Sequence, residues 1–353
     1  NMGCTQNRRI GPDNYCRARR RLPKAARHAL AEITAALQTA LDARWDNHFF
    51  MTSFTGGAAK ASVHAFELEP EGAGFTLASD TEVVRGLLSA GSAFGPDGAL
   101  YLTDWVRGYE ATGEGQLWRL DVTNPDTATR REVADLIATD FTGLRRRELE
   151  DLLAHRDMRI RQKAQFELVA RQEDGALGRV ADSGDNQLAR LHALWGIGQL
   201  ARAGIVDPAP LRELLDDADA EVRAQAAKAL GDARDRASVT RLVERLDDTA
   251  ARVRFFATEA LGRIGDRSAL NPIVGMLADN DDEDVYLRTA GVHAMVGIGD
   301  DDALDPLVPE QQCGQQADRA RTDDQRAAFA RWSRHDALGE QNRVQPGGAG
   351  HDD

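Results

Sequence analysis

"DAEVRAQAAKALG", residues Asp219 to Gly231, reads as an amphipathic helix with its start signal attached. Asp219 stands where a carboxylate can accept the free N–H groups of a first helical turn. Arg223 follows one turn later, with a small residue, Ala226, three positions after it and an apolar one, Leu230, seven positions after it. That spacing puts Ala226 and Leu230 on one face, and the small side chain leaves room for a neighbouring helix.

The arrangement recurs. "RIRQKAQFEL", "LARLHALWGI", "RVRFFATEAL" and "YLRTAGVHAM" align with it on Arg161, Arg190, Arg254 and Arg288, so the five arginines stand 29 to 34 residues apart. The small position is Ala164, Ala193, Ala226, Ala257 and Gly291, and the apolar one is Leu168, Ile197, Leu230, Leu261 and Met295. Four residues before the arginine come Asp157, Asn186, Asp219 and Asp284, with Ala250 as the exception. Each Asp or Asn is expected to cap its helix and to face its own arginine one turn on, the corresponding loop of a neighbouring repeat being the arginine's alternative partner. Shorter helices such as "LRELLDD" (Leu211 to Asp217) and "VTRLVERLDD" (Val239 to Asp248) precede the arginine-bearing ones. Helix pairs at this period make a solenoid, because no single pair can bury its apolar seam alone. The solenoid is expected over residues 145–309.

Upstream the period changes. Between residues 47 and 123, "HFFMTSF", "SVHAFELE", "GFTLASD", "ALYLTDW" and "GQLWRLDV" alternate or carry aromatics, and Gly, Pro and Asp breaks separate them. These read as short antiparallel strands. Residues 124–144 read as a polar connector and residues 310–353 as a polar, poorly ordered tail. Residues 1–46 are arginine-rich, and Leu30, Ile33, Leu37 and Leu41 predict a helix from Ala25 to Leu41. The expected fold class is mainly α: an α-solenoid preceded by a small antiparallel β region.

The 353 residues are 42% hydrophobic and carry a formal net charge of −13. That balance argues against a nucleic-acid partner, which needs clustered Lys and Arg against phosphates. No window approaches eighteen consecutive apolar residues, so no transmembrane segment is expected. The chain opens on Asn1 without an apolar export segment and reads as a fragment of a longer product. Cys4, Cys16 and Cys313 form no CxxC or CxxCH pair, so neither a zinc knuckle nor an attached haem can be built from them; a Cys4–Cys16 disulfide is left open.

The pattern D-x-x-VR-x-x-A-x-x-AL-G, complete in Asp219–Gly231 and partial in "ARVRFFATEALG", resembles a HEAT repeat of the short, bacterial lyase-like kind. The block from "FFMTSFTGG" at Phe49 to "GQLWRLD" ending at Asp121 resembles the last part of a β-propeller of the glucose/sorbosone-dehydrogenase type. "LLAHRDMRIRQKAQFELVAR" is similar to the repeat beside the propeller in large membrane-associated dehydrogenase-like proteins, where HEAT repeats and a c-type cytochrome domain follow. The resemblance implies about two propeller blades in residues 47–123 and an extracytoplasmic, periplasmic setting. It also implies a parent enzyme using pyrroloquinoline quinone (PQQ), calcium and haem c. With no earlier blade and no CxxCH in the sequence, no catalytic residue is carried over, and no cofactor is expected in this chain. The leading expectation is a non-catalytic scaffold with a protein partner on the solenoid surface. The alternative is a portion of a quinone- or haem-linked dehydrogenase, and a lyase acting on a bilin ranks last.

Asp104, Trp105 and Arg107 close the best strand. They suit a propeller mouth near a substrate, or more simply a blade-closing strand with an aromatic plug. His48 and His64 lie on neighbouring strands and are expected to form a cross-strand polar pair rather than a metal site. His192 and His293 fall on second helices, where packing is the default. "GGAAKAS" (Gly56 to Ser62) lacks phosphate-loop spacing and reads as a turn. "DNDDEDV" (Asp279 to Val285) has no glycine at the sixth loop position and reads as an inter-helix loop, not an EF-hand. The Asp–Arg series is expected to be structural.

Overall fold

The computed structural model describes residues 30–35, 40–54, 57–106 and 113–299. Its first part is two antiparallel sheets. β1 (Leu30–Ala35), β2 (Phe49–Ser53), β3 (Ser62–Glu71) and β4 (Gly74–Arg85) pair in sequence order, as do β5 (Ser92–Phe94), β6 (Leu100–Asp104) and β7 (Gln116–Leu120). Alternation along the strands divides the apolar residues. Phe50, Val63 and Ala65 pack with Leu41, Leu100 and Leu102 between the sheets, while Met51 and Phe66 form a second cluster.

The helix expected from Ala25 to Leu41 is not formed where the structure describes it. Leu30–Ala35 is a strand, with Ile33 opposite Met51 and Ala35 opposite Phe49. β2 offers an edge of unpaired N–H and C=O groups, and such a ladder outweighs a weak local helical preference. The connector also departs from expectation, because residues Thr127–Ala138 form a helix, α1, capped by Asp126. Its buried face holds only Arg130 and Val133, too little for an apolar period to register. Arg130 donates to Asp121 at 2.8 and 3.0 Å and to the Leu41 carbonyl at 3.1 Å, tying α1 to the sheets.

Five helix pairs follow among the described residues. They are α2 (Arg146–Leu152) with α3 (Met158–Ala170), and α4 (Asp174–Ser183) with α5 (Gln187–Arg202). Next come α6 (Ala209–Glu213) with α7 (Ala220–Asp232), α8 (Val239–Glu244) with α9 (Ala251–Ile264), and α10 (Leu270–Asn280) with α11 (Val285–Ile298). α6 and α8 each run on into a 3-10 turn, Leu214–Asp216 and Arg245–Asp247. Ala164, Ala193, Ala226 and Ala257 are fully buried, and Leu168, Ile197, Leu230, Leu261 and Met295 form the seam beneath them. Burying each such leucine is worth about 1.5–3 kcal/mol. Second helices approach to near contact: a Cβ on Gly231 would sit 2.5 Å from Ala260 Cα, and one on Gly262 2.5 Å from Ala294 Cα.

Among the described residues, the sheets also meet the helix pairs at the first repeat and the fifth. At the first repeat, Arg159 donates to the carbonyls of Gly95 at 2.9 Å and Phe94 at 3.4 Å while holding Asp157. At the fifth, the tip of the β3–β4 hairpin meets the start of α11, where Ala73 N–H donates to Asp284 Oδ2 at 2.6 Å.

Candidate functional site

The second helices α3, α5, α7, α9 and α11 carry the arginine series on successive first turns. Asp157, Asn186, Asp219 and Asp284 accept backbone N–H groups of their own helices, whereas Ala250 offers α9 no side-chain cap. The arginines of the inner repeats do not close back on these caps. Arg223 donates to the Asp217 and Ala218 carbonyls at 2.8 and 3.1 Å and forks onto Asp248 of the following repeat. Arg190 donates to the Ala181 carbonyl and pairs in the same way with Asp217. Asp217 and Asp248 in turn accept the backbone N–H of the cap residue two positions on, at 2.8 Å from Asp219 and 2.9 Å from Ala250. Arg190 and Arg223 therefore each lock the turn of the next repeat.

Arg161, Arg254 and Arg288 differ. Arg161 donates to the His155 and Arg156 carbonyls, and burial pulls its guanidinium below the usual arginine range. Arg254 donates only to the carbonyls of Asp248 and Thr249. Arg288 pairs with Asp282 at 2.5 Å. Of the acids that complete the inner rungs, the sequence offers Asp217 only as a partner for Arg254 and does not single out Asp248. Their signal was the Asp-Asp doublet closing each short first helix.

A second polar row crosses the same helices. Gln165 on α3 accepts from His192 Nδ1 on α5 at 2.7 Å, and the His192 ring meets Trp195 edge-on at 4.9 Å. Trp195 Nε1 donates to Gln225 on α7 at 2.9 Å, Gln225 donates to Glu221, and Glu221 receives Arg252 of α9 at 2.7 Å. His192 is held near pKa 4, chiefly because burial penalises the imidazolium and also because Arg161 adds positive charge. Beside this row lies a groove of about 200 Å³ lined by Trp195, Gln199, Arg202, Gln225, Lys228 and Asp232. Trp195 on the groove wall remains 36% exposed, and Phe166 on α3 is 54% exposed. Lys228 sits below the usual lysine range, through burial and then the Arg263 guanidinium. This row offers aromatic faces, amides and cations to a ligand, with Lys228 Nζ donating to Asp232 at 2.7 Å on the groove wall.

The remaining sequence candidates are placed as follows. Asp104 is 9% exposed, with its carboxylate accepting from the Leu88 and Val106 N–H groups and from Trp118 Nε1. Trp105 is 40% exposed and tilts against Phe54 at 5.9 Å. Arg107 and the three cysteines lie outside the described residues. His48 and His64 do not pair with one another, because the register sets Met51 opposite His64. His64 contacts Asp80 at 2.7 Å, and His48 bonds the Asp46 carbonyl. Ala58–Lys60 within "GGAAKAS" is a 3-10 turn. The acidic loop bends back through Asp281 and Asp282, both with positive φ, before Asp284 starts α11. No described helix is long and apolar enough to cross a membrane.

The HEAT-repeat family profile matches residues 176–254, 208–286 and 246–311. Residues 176–311 match HEAT repeats, and the fold is mainly α, a stack of helix pairs with a small antiparallel β region ahead of it. Solved structures similar to this chain include the CpcE–CpcF complex of phycocyanin lyase from Nostoc sp. PCC7120, at 20% identity and TM-score 0.37 over 46% of this chain and 68% of that one. An engineered protein matches at 21% identity and TM-score 0.34 over 50% of this chain and 92% of its own. A designed armadillo repeat protein matches at 18% and 0.33 over 52% and 83%. No curated protein matches the chain.

Proposed function

We propose that the chain is a non-catalytic scaffold whose second-helix face receives a protein partner at the groove between α5 and α7. The observation that carries this reading is the exposed Trp195 on the wall of a groove rimmed by Arg202, Lys228 and Gln225. An aromatic anchor ringed by polar groups is the usual composition of an interface centre. A photo-crosslinking residue at position 195 or 199 should trap one discrete partner in cells. The same residue at Thr240, on the first-helix side, should trap none; equal capture at both sites would reject the groove.

The finer part of the proposal places this scaffold beside a sugar-dehydrogenase-like propeller outside the cytoplasm, with PQQ, calcium and haem c belonging to that neighbour. Support comes from the resemblance of residues 49–121 and from the order β1-β2-β3-β4, since a propeller blade is a four-stranded antiparallel meander. Antibody detection after cell fractionation should find the protein in the periplasm, and a wholly cytosolic signal would reject this part. The purified chain should not reduce dye in the presence of glucose, PQQ and calcium.

A further inference from the structure

We propose that the β3–β4 hairpin is a strap that closes the repeat array, its tip seated in a site formed by the first turns of α9 and α11 and shaped for a tight glycine-containing turn. β2 pairs with β3 only from Ser62 to Phe66, so Glu67–Glu71 and Gly74–Ser79 continue as a two-stranded ribbon past the sheet. Five residue pairs carry it about 17 Å. A free ribbon of that length is marginal in water. Leu68 and Leu77 pack at its base against Met51 and Phe66, and beyond them β4 buries only Gly74, at the tip.

The seat fits the tip residue by residue. Gly72 takes φ +59, at the first central position of a two-residue turn, where glycine is the residue that tolerates it. A Cβ there would lie 2.3 Å from Asp284 Oδ2. The Ala73 N–H donates to that same oxygen at 2.6 Å, while Asp284 Oδ1 caps Tyr286 and Leu287 N–H at 2.8 and 3.3 Å. One carboxylate thus serves the helix start and the hairpin turn at once. A Cβ on Gly74 would fall 2.0 Å from the Tyr286 ring, so only glycine lets strand and ring pass. Phe75 lies 5.4 Å from the Arg252 guanidinium, which also covers Phe256 at 5.0 Å. Glu71–Gly72–Ala73–Gly74–Phe75 and Arg252–Asp284–Tyr286 form a matched pair 211 residues apart between Ala73 and Asp284.

Hydrogen exchange on the full chain tests the seat. Gly74→Val collides with the Tyr286 ring, so peptides covering residues 72–76 and 284–289 should exchange at least about tenfold faster, while those in α5 and α7 keep their protection. Adding Tyr286→Ala to Gly74→Val makes room for the side chain and should return the 72–76 peptide to within about twofold of the parent. Three results would overturn the strap: unchanged exchange in Gly74→Val, equal acceleration through every repeat, or failure of Tyr286→Ala to restore the tip.

Discussion

Arg223 holds Asp248, not its own helix cap Asp219: Nε and Nη2 meet the two Asp248 oxygens at 2.8 and 2.9 Å, and the Asp248 side chain is 5% exposed. Burial works against the Asp248 charge, and the Arg223 fork with the Ala250 N–H outweighs it, so the carboxyl stays below the usual range. Removing the arginine strands a buried acid. Arg223→Ala should therefore lower stability by about 1–3 kcal/mol in urea melts. Arg254→Ala, which releases only backbone carbonyls, should cost less. Equal losses would mean that the inter-repeat fork adds nothing.

Ala250 has the extended backbone of a helix cap, φ −86 and ψ 116, without a side chain to cap with. Ala250→Ser should raise the urea midpoint, with a gain of about 0.5–2 kcal/mol. No gain would show that solvent already satisfies the first turn of α9.

Two glycines inside helices should respond with opposite sign. Gly178 in α4 has open space where its Cβ would point, so Gly178→Ala should stabilise by about 0.5–1 kcal/mol through helix propensity alone. Gly231 faces the Ala260 backbone, and there overpacking of about 1–3 kcal/mol should exceed that gain. The comparison needs only two thermal melts, and stabilisation by both variants would refute the close approach of α7 and α9.

His192 sets a pH window. Its folded pKa, about 4, lies below the unfolded value of about 6.5, so the unfolded chain binds the proton more tightly. Stability is complete above about pH 6.5 and falls as pH drops towards 4, by roughly 2–3 kcal/mol at the acid end. His192→Gln should flatten this part of the pH–stability curve. A parent curve that is already flat between pH 6.5 and 4 would contradict the buried neutral ring.

The helix pairs were legible because each repeat restates the same local grammar of cap, small residue and apolar seventh position. The rungs were not, because Arg190 and Arg223 act on acids 27 and 25 residues ahead, a distance that no helical period encodes. A local reading prefers the acid one turn away. β1 was misread for a related reason: a six-residue stretch with leucine and isoleucine three apart is compatible with helix or strand, and the partner edge decides. The groove at Trp195 was missed because Gln165, Gln225 and Glu221 occupy unlike positions along their helices and converge only when the repeats stack.

A linear stack of repeats frays from its two ends, each terminal unit having one neighbour instead of two. Among the described residues, Arg159 fastens the first helix pair to the β region, and Asp284 fastens the fifth to a ribbon growing from that same region. The stack has been turned into a circuit. Such a circuit should keep the described end pairs from peeling away first, so that heat or denaturant opens the loop in one cooperative event.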